Sequence, residues 1–169
     1  NALILAADAF TNNAGSAVID ATNGRYQLWT ANDTGYDISD LSPDFIQYGA
    51  SYGVTSISGA DAEDGLFFTD TASVSPDFRT STTKTYDGTS TATVADADIG
   101  MTGVNLNESV VLTASSASFD DANVGSGKTV SLSGLSIASA TRGSIDVYGY
   151  TLTATTANNA NGTINAKSL

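Results

Sequence analysis

Two knots of acidic residues are the first places where this chain could do chemistry. Asp120 and Asp121 stand side by side, and Asp61, Glu63 and Asp64 crowd against Gly65. Paired carboxylates act as acid and base in glycoside cleavage, and clustered carboxylate oxygens bind hard cations such as calcium. With neither histidine nor cysteine in the chain, proton transfer or nucleophilic attack would fall to carboxylates, tyrosines and the lysines Lys84, Lys128 and Lys167. The aspartate pair precedes Asn123-Val124-Gly125 and reads as a polar turn rather than a catalytic dyad. The run from Asp61 to Gly65 fails the calcium-loop pattern, because its glycine falls at the wrong offset and no glutamate closes it. It reads as a solvated acidic loop, with Asp61, Glu63 and Asp64 as the ligands should calcium bind. No other cofactor is expected.

Gly125-Ser126-Gly127-Lys128-Thr129 superficially matches a phosphate-binding loop. The upstream glycine is missing, and Val130 to Ser133 reads as strand where the motif needs a helix, so a β-hairpin turn is expected. Tyr26, Trp29, Tyr36 and Tyr48 are the candidate ligand-binding residues, since exposed aromatic faces stack on sugar rings; the competing reading is that they pack a core or a cap. Lys84, near a strand start, invites an isopeptide bond to an Asn or Asp, but the sequence places no partner. Asn32, Asn107 and Asn161 each open an Asn-X-Ser/Thr sequon, which matters only where a matching transferase exists.

The elements that would position these residues are strands. Thr, Ser, Ala, Gly, Asn and Asp dominate the 169 residues, and the strong helix formers are scarce. Lys and Arg total 6 against a net charge of -12, which disfavours a nucleic-acid groove and an anionic membrane surface. Absence of cysteine excludes disulfides and thiolate metal sites. No run approaches the roughly 20 apolar residues that span a bilayer. The apolar start, Asn1 to Phe10, lacks the basic region of a signal peptide and begins in mid-pattern, so the chain reads as a fragment of a longer protein.

Residues 1–35 alternate short apolar runs with Asn and Gly: Leu3 to Leu5, Ala17 to Ile19 and Tyr26 to Trp29, punctuated by Asn12 to Gly15 and by Asn23-Gly24. That spacing suits rungs of a parallel β-helix, whose apolar side chains stack inward while Asn and Gly turn the corners. Residues 36–81 form a connecting segment whose aromatics, together with Trp29, would cap the open end of the column; strands are expected at Phe45 to Tyr52, Val54 to Ile57 and Leu66 to Asp70. From residue 82 to 169 longer Thr-, Val- and Ser-rich strands follow, at Thr91 to Val94, Ser109 to Ala114, Thr129 to Leu132, Leu135 to Ile137, Tyr150 to Ala154 and Gly162 to Ala166. They predict a small antiparallel β domain, a sandwich or a β-grasp-like sheet, with a turn at Ser133-Gly134. The expected fold is therefore all-β: the end of a right-handed parallel β-helix, a capping segment, then that domain.

Lys84-Thr85-Tyr86-Asp87-Gly88-Thr89 resembles the start of the YDG domain found in filamentous haemagglutinin-type adhesins. Phe119, Asn123-Val124-Gly125 and Gly127-Lys128-Thr129-Val130 follow in the order of that family's central motif, and Tyr150 to Leu152 and Ile164 to Lys167 are similar to its last strands. Ala140 to Tyr148 departs from the family pattern. Upstream, Asn23 to Tyr26 with Trp29, and Leu41 to Phe45 with Tyr48, is similar to the β-helix ending of two-partner secretion exoproteins.

The resemblance implies a large secreted exoprotein at a bacterial cell surface or in the extracellular matrix, exported through an outer-membrane transporter. This chain would be a non-catalytic structural and adhesive segment of it, serving attachment and biofilm cohesion. Lys84, Tyr86, Asp87, Gly88, Asn123, Val124 and Gly125 would be its structural signature. Its partners would be the rest of the parent adhesin and a polysaccharide or host-surface receptor, with no nucleic acid and no membrane insertion. The alternative is a carbohydrate- or receptor-binding module of the same adhesin.

Overall fold

The computed structural model describes residues 2–8, 10, 19, 24–32, 41–59, 63–105 and 107–168. Among the described residues fourteen strands follow one another: β1 (Ala2–Ala6), β2 (Arg25–Thr30), β3 (Phe45–Gln47), β4 (Gly65–Phe68), β5 (Ala72–Asp77), β6 (Thr82–Thr85), β7 (Gly100–Thr102), β8 (Ser109–Thr113), β9 (Ser116–Phe119), β10 (Gly125–Ser133), β11 (Ser136–Arg142), β12 (Ile145–Tyr148), β13 (Tyr150–Leu152) and β14 (Thr156–Asn165). A 3-10 turn spans Asp96–Asp98, and there is no α-helix among the described residues. The chain is all-β, as its composition predicts. It divides into two compact units, the first Asn1–Ala72, Asn105–Ser109 and Ala140–Tyr150, the second Ser73–Val104, Val110–Ser139 and Thr151–Leu169.

In the first unit β1, β2, β4, β3 and β12 lie side by side in that order, all parallel. The pairing stacks one residue from each strand in register: Leu5 on Leu28, Leu28 on Leu66, Leu66 on Ile46, and Ile46 on Val147. The adjacent row is Ala6, Trp29, Phe67, Gln47 and Tyr148. Successive residues face opposite sides of a sheet, yet β3 and β4 are buried throughout and β2 from Tyr26 onward. The middle of the ladder is therefore covered on both faces, as parallel sheets usually are, while β1 at its edge is exposed.

Large rings fill one face. Trp29, Phe45, Ala50 and Phe67 form a buried cluster against which Ile57 and Tyr148 pack. Trp29 and Phe67 stack at 3.8 Å between centroids with their planes 5° apart, and Phe45 meets Phe67 edge-on at 5.4 Å. Room for the Phe45 ring comes from two glycines: a Cβ on Gly59 would lie 2.4 Å from it, and one on Gly65 2.6 Å. β11 closes back on β12 as an antiparallel hairpin, Thr141 opposite Asp146 and Arg142 opposite Ile145.

The second unit holds a four-stranded sheet in the order β6-β14-β10-β9. β10 is antiparallel to both β14 and β9, whereas β6 runs parallel to β14, so the sheet is mixed where an antiparallel one was expected. Val130, Leu132, Phe119 and Ile164 are buried on it. A three-stranded sheet, β13-β5-β7, pairs Ser75 with Thr102 and Asp77 with Gly100.

Local expectations differ in places, and of Phe45 to Tyr52 only Phe45–Gln47 is strand. Val54 to Ile57 is a turn rather than a strand, because the amides of Val54 and Thr55 both donate to the Ser51 carbonyl. Of Thr91 to Val94, only Thr91 makes a bridge, to Ser118. Gly125 to Thr129 lies inside β10, where the register with β14 slips on each side of Lys128. Gly127 takes φ +68° there, so what resembles a hairpin turn in sequence is a bulge within a strand.

Candidate functional site

The Lys84 to Thr89 signature folds into a self-contained clamp. Lys84 lies in β6 with its side chain mostly buried, and its ammonium donates to the carbonyls of Thr89 (3.0 Å) and Thr91 (2.9 Å) and to the Thr89 hydroxyl (3.0 Å). Asp87 Oδ1 lies 2.7 Å from the same nitrogen and accepts from the Thr89 amide and hydroxyl at 2.9 and 2.8 Å. Gly88, at φ +80°, supplies the left-handed step that lets the chain return. The ammonium also sits 5.9 Å from the centroid of the Phe119 ring, on the favourable face of an aromatic quadrupole. Tyr86 is 42% exposed, so its ring is not the packing element of the turn.

A second clamp follows the same design. Lys128 falls on the inward row of β10 with Val130 and Leu132, and its ammonium reaches Asp121 Oδ1 and stands 3.6 Å from Asp120. Asp121 also accepts from the Asn123 amide at 2.7 Å, and Asp120 from the Thr129 amide at 3.3 Å. The Asp120-Asp121 pair is thus the turn between β9 and β10. Val124 is 52% exposed at its tip, and Gly125 begins β10.

In the first unit the buried polar centre is one that sequence reasoning missed. Glu108, whose side chain is fully buried, accepts from Arg142 Nη2 and Tyr48 Oη on Oε1, both at 2.8 Å, and from Tyr150 Oη on Oε2 at 2.6 Å. Tyr150 Oη in turn accepts from the Asn105 amide at 2.9 Å. One carboxylate therefore holds the Asn105–Ser109 segment to residues from β3's exit, β11 and β13. The signal available in the sequence was meagre: Glu108 is one of two glutamates in the chain, and its partners lie 34 to 60 residues away.

Of the aromatic candidates, Tyr26, Trp29 and Tyr48 are buried, at 4, 5 and 3% exposure, and Tyr36 lies outside the described residues. They do not converge on one site: Trp29 stacks on Phe67, Tyr48 packs on Phe68 and bonds Glu108, and Tyr26 is flanked by Asp64 and Asp44. Burial, and then those two carboxylates, push the Tyr26 hydroxyl well above its ordinary value. Asp64 spends Oδ1 on the Tyr26 amide at 2.7 Å, and Asp44 accepts from the Asp64 amide at 2.9 Å. Asp61 is outside the described residues; among those described, no three acidic, histidine or cysteine side chains gather as metal ligands would.

The YDG domain model matches residues 70–158, more than half of the chain. This chain belongs to the YDG family. Neither a curated protein nor a solved structure matches it. Both clamps fall inside the matched span of the YDG domain, and so does the Glu108 carboxylate. The folded unit runs on past it, since Gly162 to Asn165 of β14 pair with β6, and the Tyr86 amide donates to the Asn165 carbonyl. Residues Ala140–Tyr150, inside the matched span, belong to the first unit.

In the YDG clamp the Asp87 carboxyl is pulled down to about 2 from 3.8, first by its bond to Lys84 and then by the Thr89 amide. Asp121 is lowered and Lys128 raised by their mutual bond. Because the folded values of both aspartates lie below the unfolded ones, their contribution is present above the unfolded values and lost as pH falls through the folded ones. For Asp87 that loss is centred at about 2. A carboxyl ¹³C titration should find Asp87 near 2 in the native chain and back toward 3.8 in Lys84→Met; an unmoved Asp87 in that variant contradicts the clamp.

Proposed function

We propose that this chain is a non-catalytic structural segment of a large secreted bacterial surface adhesin of the filamentous haemagglutinin type. Export runs through an outer-membrane partner, and the segment serves attachment and biofilm cohesion by rigidity, reach and presentation. Residues 1–35 open the terminal rungs of a right-handed parallel β-helix, 36–81 are the connecting cap and add β3 and β4 to the same ladder, and 82–169 are the YDG module, whose β12 joins it.

The observation that carries this reading is the in-register parallel ladder from Leu5 through Leu28, Leu66 and Ile46 to Val147. Stacked rungs of a solenoid bury their apolar rows against neighbours in this way. β1 is the outer strand of the ladder among the described residues, and Leu3 and Ile4 on it are 46 and 41% exposed. An exposed apolar edge of that kind invites a further strand, which upstream rungs of the parent adhesin would supply. The insertion of β4 between β2 and β3 breaks simple sequential stacking, as befits the end of a ladder rather than its middle. Lys84 and Asp87 support the same reading, because the Lys84 ammonium and Asp87 Oδ1 are engaged within their own turn.

The reading is tested by deleting codons for residues 1–169 from the parent gene and measuring adhesion of the producing cells to a surface under flow. Adhesion should fall, and unchanged adhesion would contradict it.

A further inference from the structure

A cavity of about 310 Å³ lies in the first unit where β1 and β2 end, lined by Asp8, Trp29, Ala50, Tyr52 and Thr69 among others. Its rim is a shaped loop. Ser51 N donates to Thr55 Oγ1 at 2.9 Å, and the Val54 and Thr55 amides close on the Ser51 carbonyl. The buried Gln47 side chain pins the far end, donating to the Ser56 carbonyl at 2.9 Å and accepting from the Ser58 amide at 2.8 Å. This ordered loop holds out two apolar side chains, Tyr52 at 56% and Val54 at 84% exposure. Tyr52 meets Trp29 edge-on at 5.5 Å, so Trp29 braces it from below. A rigid loop that keeps large apolar groups in water gains nothing for folding, but it lowers the ordering cost of binding.

We propose that this cavity is a binding subsite for a neutral sugar ring, with Tyr52 as the stacking platform and Asp8 as hydroxyl acceptor. The volume is at the small end of ligand pockets, about 300–1,000 Å³, which suits one sugar ring rather than a chain of them. An aromatic ring provides the apolar partner for the C–H face of a sugar. The Asp8 carboxylate and the Thr69 hydroxyl, which donates to the Ala31 carbonyl and keeps acceptor capacity, answer its hydroxyls. A net charge of -12 and an acid at the rim disfavour uronic or sulfated sugars. A quaternary ammonium group would need several ring faces around it, and Trp29 is only 5% exposed with a face on Phe67. The site is additional to the structural role proposed above and does not rest on it.

Trp29 is the sole tryptophan, so its emission reports this cavity alone. The intact chain is titrated with methyl glucoside, methyl galactoside and N-acetylglucosamine, and separately with glucuronate and choline. A saturable change with a neutral sugar is expected, with Kd raised at least about tenfold in Tyr52→Ala and in Asp8→Asn. Both positions are exposed, so the variants retain the fold. No saturable change up to about 100 mM of any neutral sugar, tighter binding of choline or glucuronate, or wild-type affinity in either variant would overturn the subsite.

Discussion

Truncating Phe67 to alanine should cost about 3–5 kcal/mol of stability, the range for deleting a buried aromatic ring. Phe67 has no exposed surface, and its ring is held between a stacked Trp29 at 3.8 Å and an edge-on Phe45 at 5.4 Å. Its neighbours are strand residues fixed by parallel pairing on both sides, Trp29 in β2 and Gln47 in β3, so the gap cannot close by collapse. Urea unfolding followed by Trp29 emission reads the loss directly, because the one tryptophan stacks on the ring removed. A shift below about 1 kcal/mol would mean that the aromatic column does not carry the first unit.

Replacing Glu108 by alanine should cost about 3–5 kcal/mol, the usual penalty for stripping one partner from a buried ion pair. The substitution removes the acceptor from Arg142 Nη2 and from the hydroxyls of Tyr48 and Tyr150 at once. Glu108→Gln keeps the shape and one acceptor oxygen and should lose less. Adding Arg142→Met to Glu108→Ala should recover part of the loss, since the partner's charge no longer lacks its carboxylate. Purely additive losses in that double variant, read from urea midpoints, would contradict the coupling.

Strands and turns were legible where the local signal was strong. Period-two burial of Val130 and Leu132 on β10 and the turn at Tyr86-Asp87-Gly88 follow from alternation and from turn chemistry. Asp87 and Gly88 were readable as turn formers, but that Lys84 would thread the turn was not, because four acceptors on one ammonium depend on backbone placement. The stretch from Gly125 to Lys128 misleads, since Gly-Ser-Gly marks a hairpin and a bulge equally well and only the partner strand decides. The parallel pairing of β6 with β14 joins residues about 80 apart and carries no local mark. Glu108 was invisible for a related reason: an isolated glutamate in a Thr- and Ser-rich stretch reads as surface until Arg142 and two tyrosines are brought to it. Tyr52 reads in the sequence as one of the capping aromatics, because its exposure depends on the Ser51 to Thr55 turn, in a stretch that reads locally as strand.

Display of this segment on a bacterial surface, as part of a larger adhesin, is tested by labelling intact producing cells with antibody raised against residues 73–169. Bright labelling of unbroken cells, removed by brief external protease, is expected, with the epitope on a much longer polypeptide. Labelling that appears only after lysis, or an epitope confined to a free chain of this size inside the cell, would contradict it.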